Sequence, residues 1–204
     1  MILKASHNWF IYGFFRLYTN LSIRRSFHRV VISGEIADNG LPVLVLSNHT
    51  SWWDGFWIVY MNMKLFKRRF FFMMLESQLR KKMFFNHTGG YSVLQGSRSI
   101  LESIEYTIEL LNDKENMVLL FPQGRIESIH NRNISFAKGI ARISERLKGK
   151  VQVVFAVCLP DYFSERKPSV YIYLGEYDYS VQCAKAFHDF YNNSLKIHSE
   201  KTSV

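Results

Sequence analysis

The sequence predicts an α/β fold, with a mixed, partly parallel central sheet flanked by helices and an amphipathic helical segment ahead of it. Three observations carry this expectation. Continuous apolar runs of strand length recur at 41–46, 70–75, 117–121 and 151–159, followed by an alternating run at 170–174; such runs suit strands covered on both faces. Segments of helical character separate most of them, at 53–63, 98–112, 137–147 and 181–197, and alternation of buried strands with helices favours parallel pairing. The 204 residues are 48% hydrophobic and include only 4 prolines and 11 glycines. That composition can bury a core, and it excludes a disordered, collagen-like or loop-rich secreted chain.

The first element covers 8–31, where Trp9, Tyr12, Phe15, Leu17, Tyr18 and Leu21 recur near helical spacing. Such a stripe serves either as a core-packing face or as a face lying in a membrane interface. Lys4, Arg16, Arg24, Arg25 and Arg29 are interleaved with these aromatics, a mixture that suits lipid headgroups. The chain therefore divides into a membrane-associating segment, 1–33, and a domain, 34–204. No apolar run approaches the roughly 18 to 20 residues a spanning helix needs, because the run at 9–15 ends at Arg16 and Trp52-Trp53 meets Asp54. A signal peptide is not expected either, since the N-terminus has bulky aromatics and arginines where a smooth aliphatic stretch and a small-residue cleavage site belong. The net charge of +9 fits a nucleic acid, an anionic membrane surface or a polyanionic substrate. With no nucleic-acid-binding signature along the chain, nucleic acid is not an expected partner.

The two cysteines, Cys158 and Cys183, form no C-x-x-C pair and sit near no histidine cluster. They read as buried thiols in a reducing compartment, and no metal site is expected. The stretch that carries chemistry is Ser47-Asn48-His49-Thr50-Ser51-Trp52-Trp53-Asp54-Gly55, directly after a buried strand. Inside one regular helix, His49 and Asp54 would stand roughly 140° apart. They meet if His49 precedes the helix, Thr50 or Ser51 caps it, and Asp54 lies in its first turn. Ser51-x-x-Asp54 is also an acidic capping box, which would account for Asp54 without chemistry but not for His49. A polar Asn-His pair at the carboxyl end of an apolar strand is where open α/β sheets put ligands. With no G-x-S-x-G, H-E-x-x-H, P-loop or G-x-G-x-x-G in the chain, the pair reads as a base acting directly on a substrate hydroxyl.

Asn48-His49-x4-Asp54, then Gly89-Gly90-Tyr91-Ser92-Val93, then Leu120-Phe121-Pro122-Gln123-Gly124, and finally the apolar strand Val153-Val154-Phe155-Ala156-Val157, together resemble the ordered motifs of the glycerolipid (lysophosphatidate-type) acyltransferases. The resemblance covers about residues 40–160. It implies that His49 is the general base and Asp54 its partner, and that an acyl group passes from acyl-CoA or acyl-carrier protein, the cosubstrate, to a hydroxyl of a lipid acceptor, with no cofactor. It also implies a peripheral, monotopic enzyme at the cytoplasmic face of a membrane. Residues Phe121, Pro122, Gln123, Gly124 and Arg125 fall on the family's acceptor-binding motif, and backbone N–H groups near Gly124 are candidates for the oxyanion.

Departures from the family pattern bear on the acceptor. The third motif usually reads Phe-Pro-Glu-Gly-Thr-Arg-Ser, whereas this chain has Phe121-Pro122-Gln123-Gly124-Arg125-Ile126-Glu127-Ser128, which loses the acid and moves the arginine. Gln95 stands about where the second motif carries an arginine, and Met74 or Leu75 where a lysine is frequent. Arg98, Arg125 and Lys138 are left to hold a phosphate, with a solvated surface charge as the alternative for each. A glycolipid or aminolipid acceptor therefore stands beside lysophosphatidate, and so does a non-catalytic lipid-binding relative, although retention of both His49 and Asp54 argues against the last.

Overall fold

All five apolar runs form strands in the computed structural model, which describes residues 2–94 and 99–202. In chain order they are β2 (Val43–Ser47), β3 (Arg69–Leu75), β5 (Asn116–Leu120), β6 (Gln152–Asp161) and β7 (Ser169–Glu176). Two short strands, β1 (Val30–Ser33) and β4 (Gly90–Val93), complete a seven-stranded sheet of order β1-β7-β6-β2-β5-β3-β4. Five neighbouring pairs are parallel and only β6–β7 is antiparallel, so the sheet is mixed and mostly parallel. All residues of β2 and β5 are buried, as expected of central parallel strands covered on both faces.

The helices are α1 (Trp9–Ser26), α2 (Asp54–Lys64), α3 (Glu76–Lys81), α4 (Phe84–His87), α5 (Ser99–Leu110), α6 (Lys138–Arg146) and α7 (Cys183–Ser199). Tyr12, Phe15 and Ile23 of α1 and Phe56, Trp57 and Ile58 of α2 pack with Val43, Val45, Phe70 and Met117 on one face of the sheet. Ile140 and Ile143 of α6 and Phe187 of α7 pack with Leu44, Leu46, Phe71 and Val118 on the other. The alternation of side chains along a strand sends each apolar run to both layers. The first helix is shorter than the 8–31 pattern suggests. Phe27 adopts an extended backbone, and the β-branched Val30-Val31-Ile32 pairs with β7 from Val170 to Ile172, so the tail of the 1–33 segment is an edge strand. No described helix is long and apolar enough to cross a membrane.

The two glycines of the second motif serve the chain path. Gly89 has φ +106°, and a Cβ there would lie 2.0 Å from the Phe70 carbonyl oxygen; only glycine permits that turn into β4. At the opposite edge of β4 the N-terminal segment meets Ser92 through Leu3, and it runs on past α4, where the Ser6 and Asn8 N–H groups donate to the Asn86 and His87 carbonyls. Leu3 and Ser92 exchange hydrogen bonds, the Ser92 N–H donating to the Leu3 carbonyl at 2.9 Å and the Leu3 N–H to Ser92 Oγ at 2.8 Å.

Connections from neighbouring strands β2 and β5 leave to opposite faces, α2 on one and α6 on the other. That divergence opens a crevice beyond their carboxyl ends. Asn48 shapes its rim. Its Nδ2 donates to the Cys158 carbonyl at 3.0 Å and its Oδ1 accepts from the Cys158 N–H at 2.7 Å, so a side chain supplies one more rung of pairing after β2 has ended. Asn48→Ala would leave both buried backbone groups of Cys158 unpaired. The expected loss of unfolding free energy, measured in urea, is about 2–4 kcal/mol; a loss near zero would mean that this rung is dispensable.

Candidate active site

His49 follows β2 just before the chain turns at 50–53, and Asp54, five positions after His49, begins α2 directly after that turn. The turn brings the carboxylate under the ring, with His49 Nδ1 to Asp54 Oδ2 at 2.8 Å. The same oxygen accepts the N–H groups of Thr50 at 2.7 Å and Ser51 at 2.8 Å. The capping reading and the imidazole-partner reading are therefore compatible, because one oxygen makes both sets of bonds. Neither Thr50 nor Ser51 occupies the N-cap position, which falls to Trp53; Ser51 Oγ instead accepts the Trp53 N–H at 2.8 Å. Asp54 is fully buried and its Oδ1 has no hydrogen-bond donor among the described residues. Burial accordingly pushes its carboxyl above the usual range, against the opposing pull of His49 and the two amides.

The imidazole is held from above as well. Phe121 stacks on it with centroids 4.0 Å apart and planes 11° apart, and Gln123 Oε1 accepts the His49 N–H. The His49 carbonyl accepts the Glu127 N–H at 2.9 Å. Thus the segment after β5 is laid against the segment after β2, and residues some seventy positions apart form one unit.

Glu127 supplies the carboxylate missing from position 123. Its side chain is 7% exposed and accepts from Gln123 Nε2 at 3.1 Å, Arg125 Nε at 2.9 Å, Asn131 Nδ2 at 3.1 Å and Ser135 Oγ at 2.9 Å. Burial works to raise this carboxyl, but the bonds from Gln123, Arg125 and Ser135 outweigh it and leave it below the usual range. Because a carboxylate only accepts, it also decides which way the Gln123 amide faces, with NH₂ toward Glu127 and oxygen toward His49. The sequence contains this acid, but its partners lie in a loop whose path no local pattern reveals.

A cavity of about 250 Å³ opens beside His49, with walls that include Phe15, Phe56, Phe72, Phe85, Met74 and Leu120. Arg125 and Gly124 lie at its lining too. Arg125 is 75% exposed and paired with Glu127. Gly124 sits at φ +66° and its N–H donates to the Phe121 carbonyl at 3.1 Å, so that amide already has a partner and is a poor oxyanion donor in this arrangement. Pro122 is buried, and its carbonyl accepts the Ala137 N–H at 2.9 Å, which anchors the start of α6 to the site. Lys138 begins α6 and is absent from the cavity lining. Arg98 and Gln95 lie outside the described residues. Met74 lines the cavity where a lysine is frequent in the family pattern. No His, Cys, Asp and Glu grouping among the described residues could hold a metal ion.

Both cysteines are free and buried. Burial pushes the Cys158 thiol far up and the Cys183 thiol to about 11, which removes them as nucleophiles at neutral pH. That leaves His49, with Nδ1 committed to Asp54 and its other ring nitrogen available, as the group at the cavity able to take a proton.

A family model described as acyltransferase matches residues 29–158, a span that contains His49, Asp54, Phe121 to Arg125 and Glu127. Comparison with individually curated proteins gives no match.

Asp54→Asn separates the chemistry of the pair from its structural cost. A carboxyl raised above its unfolded value favours folding most below the unfolded carboxylate range, and that contribution is lost as pH rises through the folded value. At neutral pH the neutral amide should therefore leave the melting temperature equal or higher, with the wild type losing ground as pH increases. Turnover should nevertheless fall by about 10²- to 10⁴-fold, because an amide cannot stabilise an imidazolium. A variant that is both unstable and active would reverse the assignment.

Proposed function

The chain belongs to the acyltransferase family, and on that premise we propose that it transfers a fatty acyl group from acyl-CoA or acyl-carrier protein to a hydroxyl of a glycerolipid-like acceptor, by general-base catalysis at His49. The single observation that carries this reading is the 2.8 Å contact of His49 Nδ1 with Asp54 at the mouth of an apolar cavity. Nε2 of His49 takes the acceptor's hydroxyl proton as its oxygen attacks the thioester carbonyl. The buried Asp54 carboxylate stabilises the imidazolium that forms. When the tetrahedral intermediate collapses, the C–S bond breaks, the leaving thiolate takes the proton back, and the ester remains. The cavity's aromatic and aliphatic walls suit the acyl chain, whose burial contributes about 0.8 kcal/mol per methylene.

The site works at a membrane in this reading, as a peripheral protein of the cytoplasmic face. Supporting it are the exposed Phe10, Phe14, Leu17 and Leu21 on the outer side of α1, together with exposed Trp52 and Phe84. Arg125 at the cavity would meet the acceptor headgroup. A second acceptor reading has its own observation: the Arg125 guanidinium is already engaged by Glu127, which lowers its pull on a phosphate and favours a glycolipid or aminolipid acceptor.

The test is transfer of labelled acyl chains from acyl-CoA or acyl-carrier protein into a total lipid extract, with the acylated species identified by mass. One new ester is expected, and His49→Ala should abolish it while the protein stays folded. Persistent transfer by that variant would remove His49 as the base. If the acceptor carries phosphate, Arg125→Ala should raise its KM about ten- to a hundredfold with the donor KM unchanged; no change in either KM would return Arg125 to a solvated surface charge and leave Arg98 as the phosphate candidate.

A further inference from the structure

Away from the cavity, α1 and α2 pack side by side and leave a groove between their outer surfaces. The groove encloses about 320 Å³ and is lined by Arg16, Asn20 and Arg24 of α1 and by Tyr60, Met63 and Lys64 of α2, with Leu17 at its border. Three cations share this concavity and its lining contains no carboxylate. None of the three makes an ion pair among the described residues, whereas Arg68, Arg69, Arg80, Arg125 and Arg146 all do. Arg24 and Lys64 lie in the last turns of their helices, where a cation meets the negative end of the helix dipole. Arg16, in the middle of α1, gains nothing from that effect, so it lines the groove with neither a helix-end dipole nor an ion pair among the described residues to engage it.

The helix that carries these arginines is apolar on two sides. Tyr12, Phe15, Thr19 and Ile23 face the core, while Phe10, Phe14, Leu17 and Leu21, spaced four, three and four apart, form a second stripe whose members are each more than half exposed. On a helical projection Arg16, Asn20 and Arg24 lie between the two stripes. A ligand seated in the groove therefore meets cations at the groove and exposed aliphatic and aromatic surface at Leu17 and beyond. That pairing matches an amphiphile with an anionic head.

We propose that the α1–α2 groove is a binding site for the phosphate headgroup of an anionic membrane phospholipid, separate from the catalytic cavity and serving to seat α1 on the bilayer. The site rests on the membrane-surface reading given above. Arg16 and Arg24, one helical step apart on either side of Asn20, clasp the phosphate oxygens, with Lys64 closing the groove from α2. The lipid's chains lie along Leu17 toward the outer stripe.

Co-sedimentation with vesicles tests it. The full-length protein is mixed with phosphatidylglycerol–phosphatidylcholine vesicles and with pure phosphatidylcholine vesicles, beside two variants that remove equal charge. One is R16Q/R24Q/K64Q; the other is R142Q/K148Q/K150Q, three exposed cations in and just after α6 on the other face of the sheet. All six positions are exposed, and melting temperatures close to wild type will show that both variants fold. The groove variant should lose on the order of a hundredfold in partition to the anionic vesicles, and the α6 variant much less. Equal losses would overturn the site and leave only diffuse electrostatic attraction. If inorganic phosphate raises the melting temperature of the wild type but not of the groove variant, while both partition equally to the anionic vesicles, the groove takes a free phosphate and the lipid assignment fails. A wild-type protein that binds neither vesicle overturns the membrane reading itself, and the site with it.

Discussion

Three hydrogen bonds converge on Oδ2 of Asp54, from the His49 ring and from the amides of Thr50 and Ser51, and the site's geometry depends on them. The carboxylate is fully buried, and its other oxygen has no partner among the described residues, a cost that a tight local network offsets. By drawing in two successive amides it folds the 50–53 turn back on itself, and that turn sets where the imidazole stands. A buried carboxylate of this kind costs stability, which is the trade expected if, as proposed, the pair serves a proton transfer.

Around this centre, the segment after β5 works as a clamp. Gln123 takes the His49 amide proton, Glu127 gives its own to the His49 carbonyl, and Phe121 covers the ring. The acid lost from position 123 reappears four residues later, and it reaches both the Gln123 amide and the Arg125 guanidinium. The relocation keeps a carboxylate in the third motif but ties the motif's arginine to it. In the proposed reading, a phosphate acceptor would have to compete with Glu127 for the same guanidinium.

The five central strands were legible because their burial on both faces writes unbroken apolar runs into the chain. Edge strands escaped notice for the complementary reason: β4 is four residues long and opens on a glycine, and β1 follows a helical pattern that ends at Phe27. Helices α3 and α4 are too short to show a period. At the site, the His49–Asp54 contact followed from local spacing, and the turn that makes it is local too. Glu127 was not legible because its side-chain partners are gathered by an irregular loop with no periodic pattern, and the Asn48–Cys158 rung was not because it depends on which strands become neighbours across 110 positions. The outer stripe of α1 was visible as apolar spacing, yet only the packed structure separates Phe14 and Leu17, turned outward, from Tyr12 and Phe15, turned in.

Direct attack by an activated hydroxyl requires that the protein never carry the acyl group, and the buried state of Cys158 and Cys183 accords with that. Intact-protein mass spectrometry measures it. The enzyme is mixed with acyl-CoA or acyl-carrier protein, and aliquots are quenched before and after acceptor lipid is added. Direct transfer predicts an unmodified protein mass in both, with ester product appearing only once acceptor is present; a protein heavier by one acyl group before acceptor is added, which loses that mass as product forms, would contradict it.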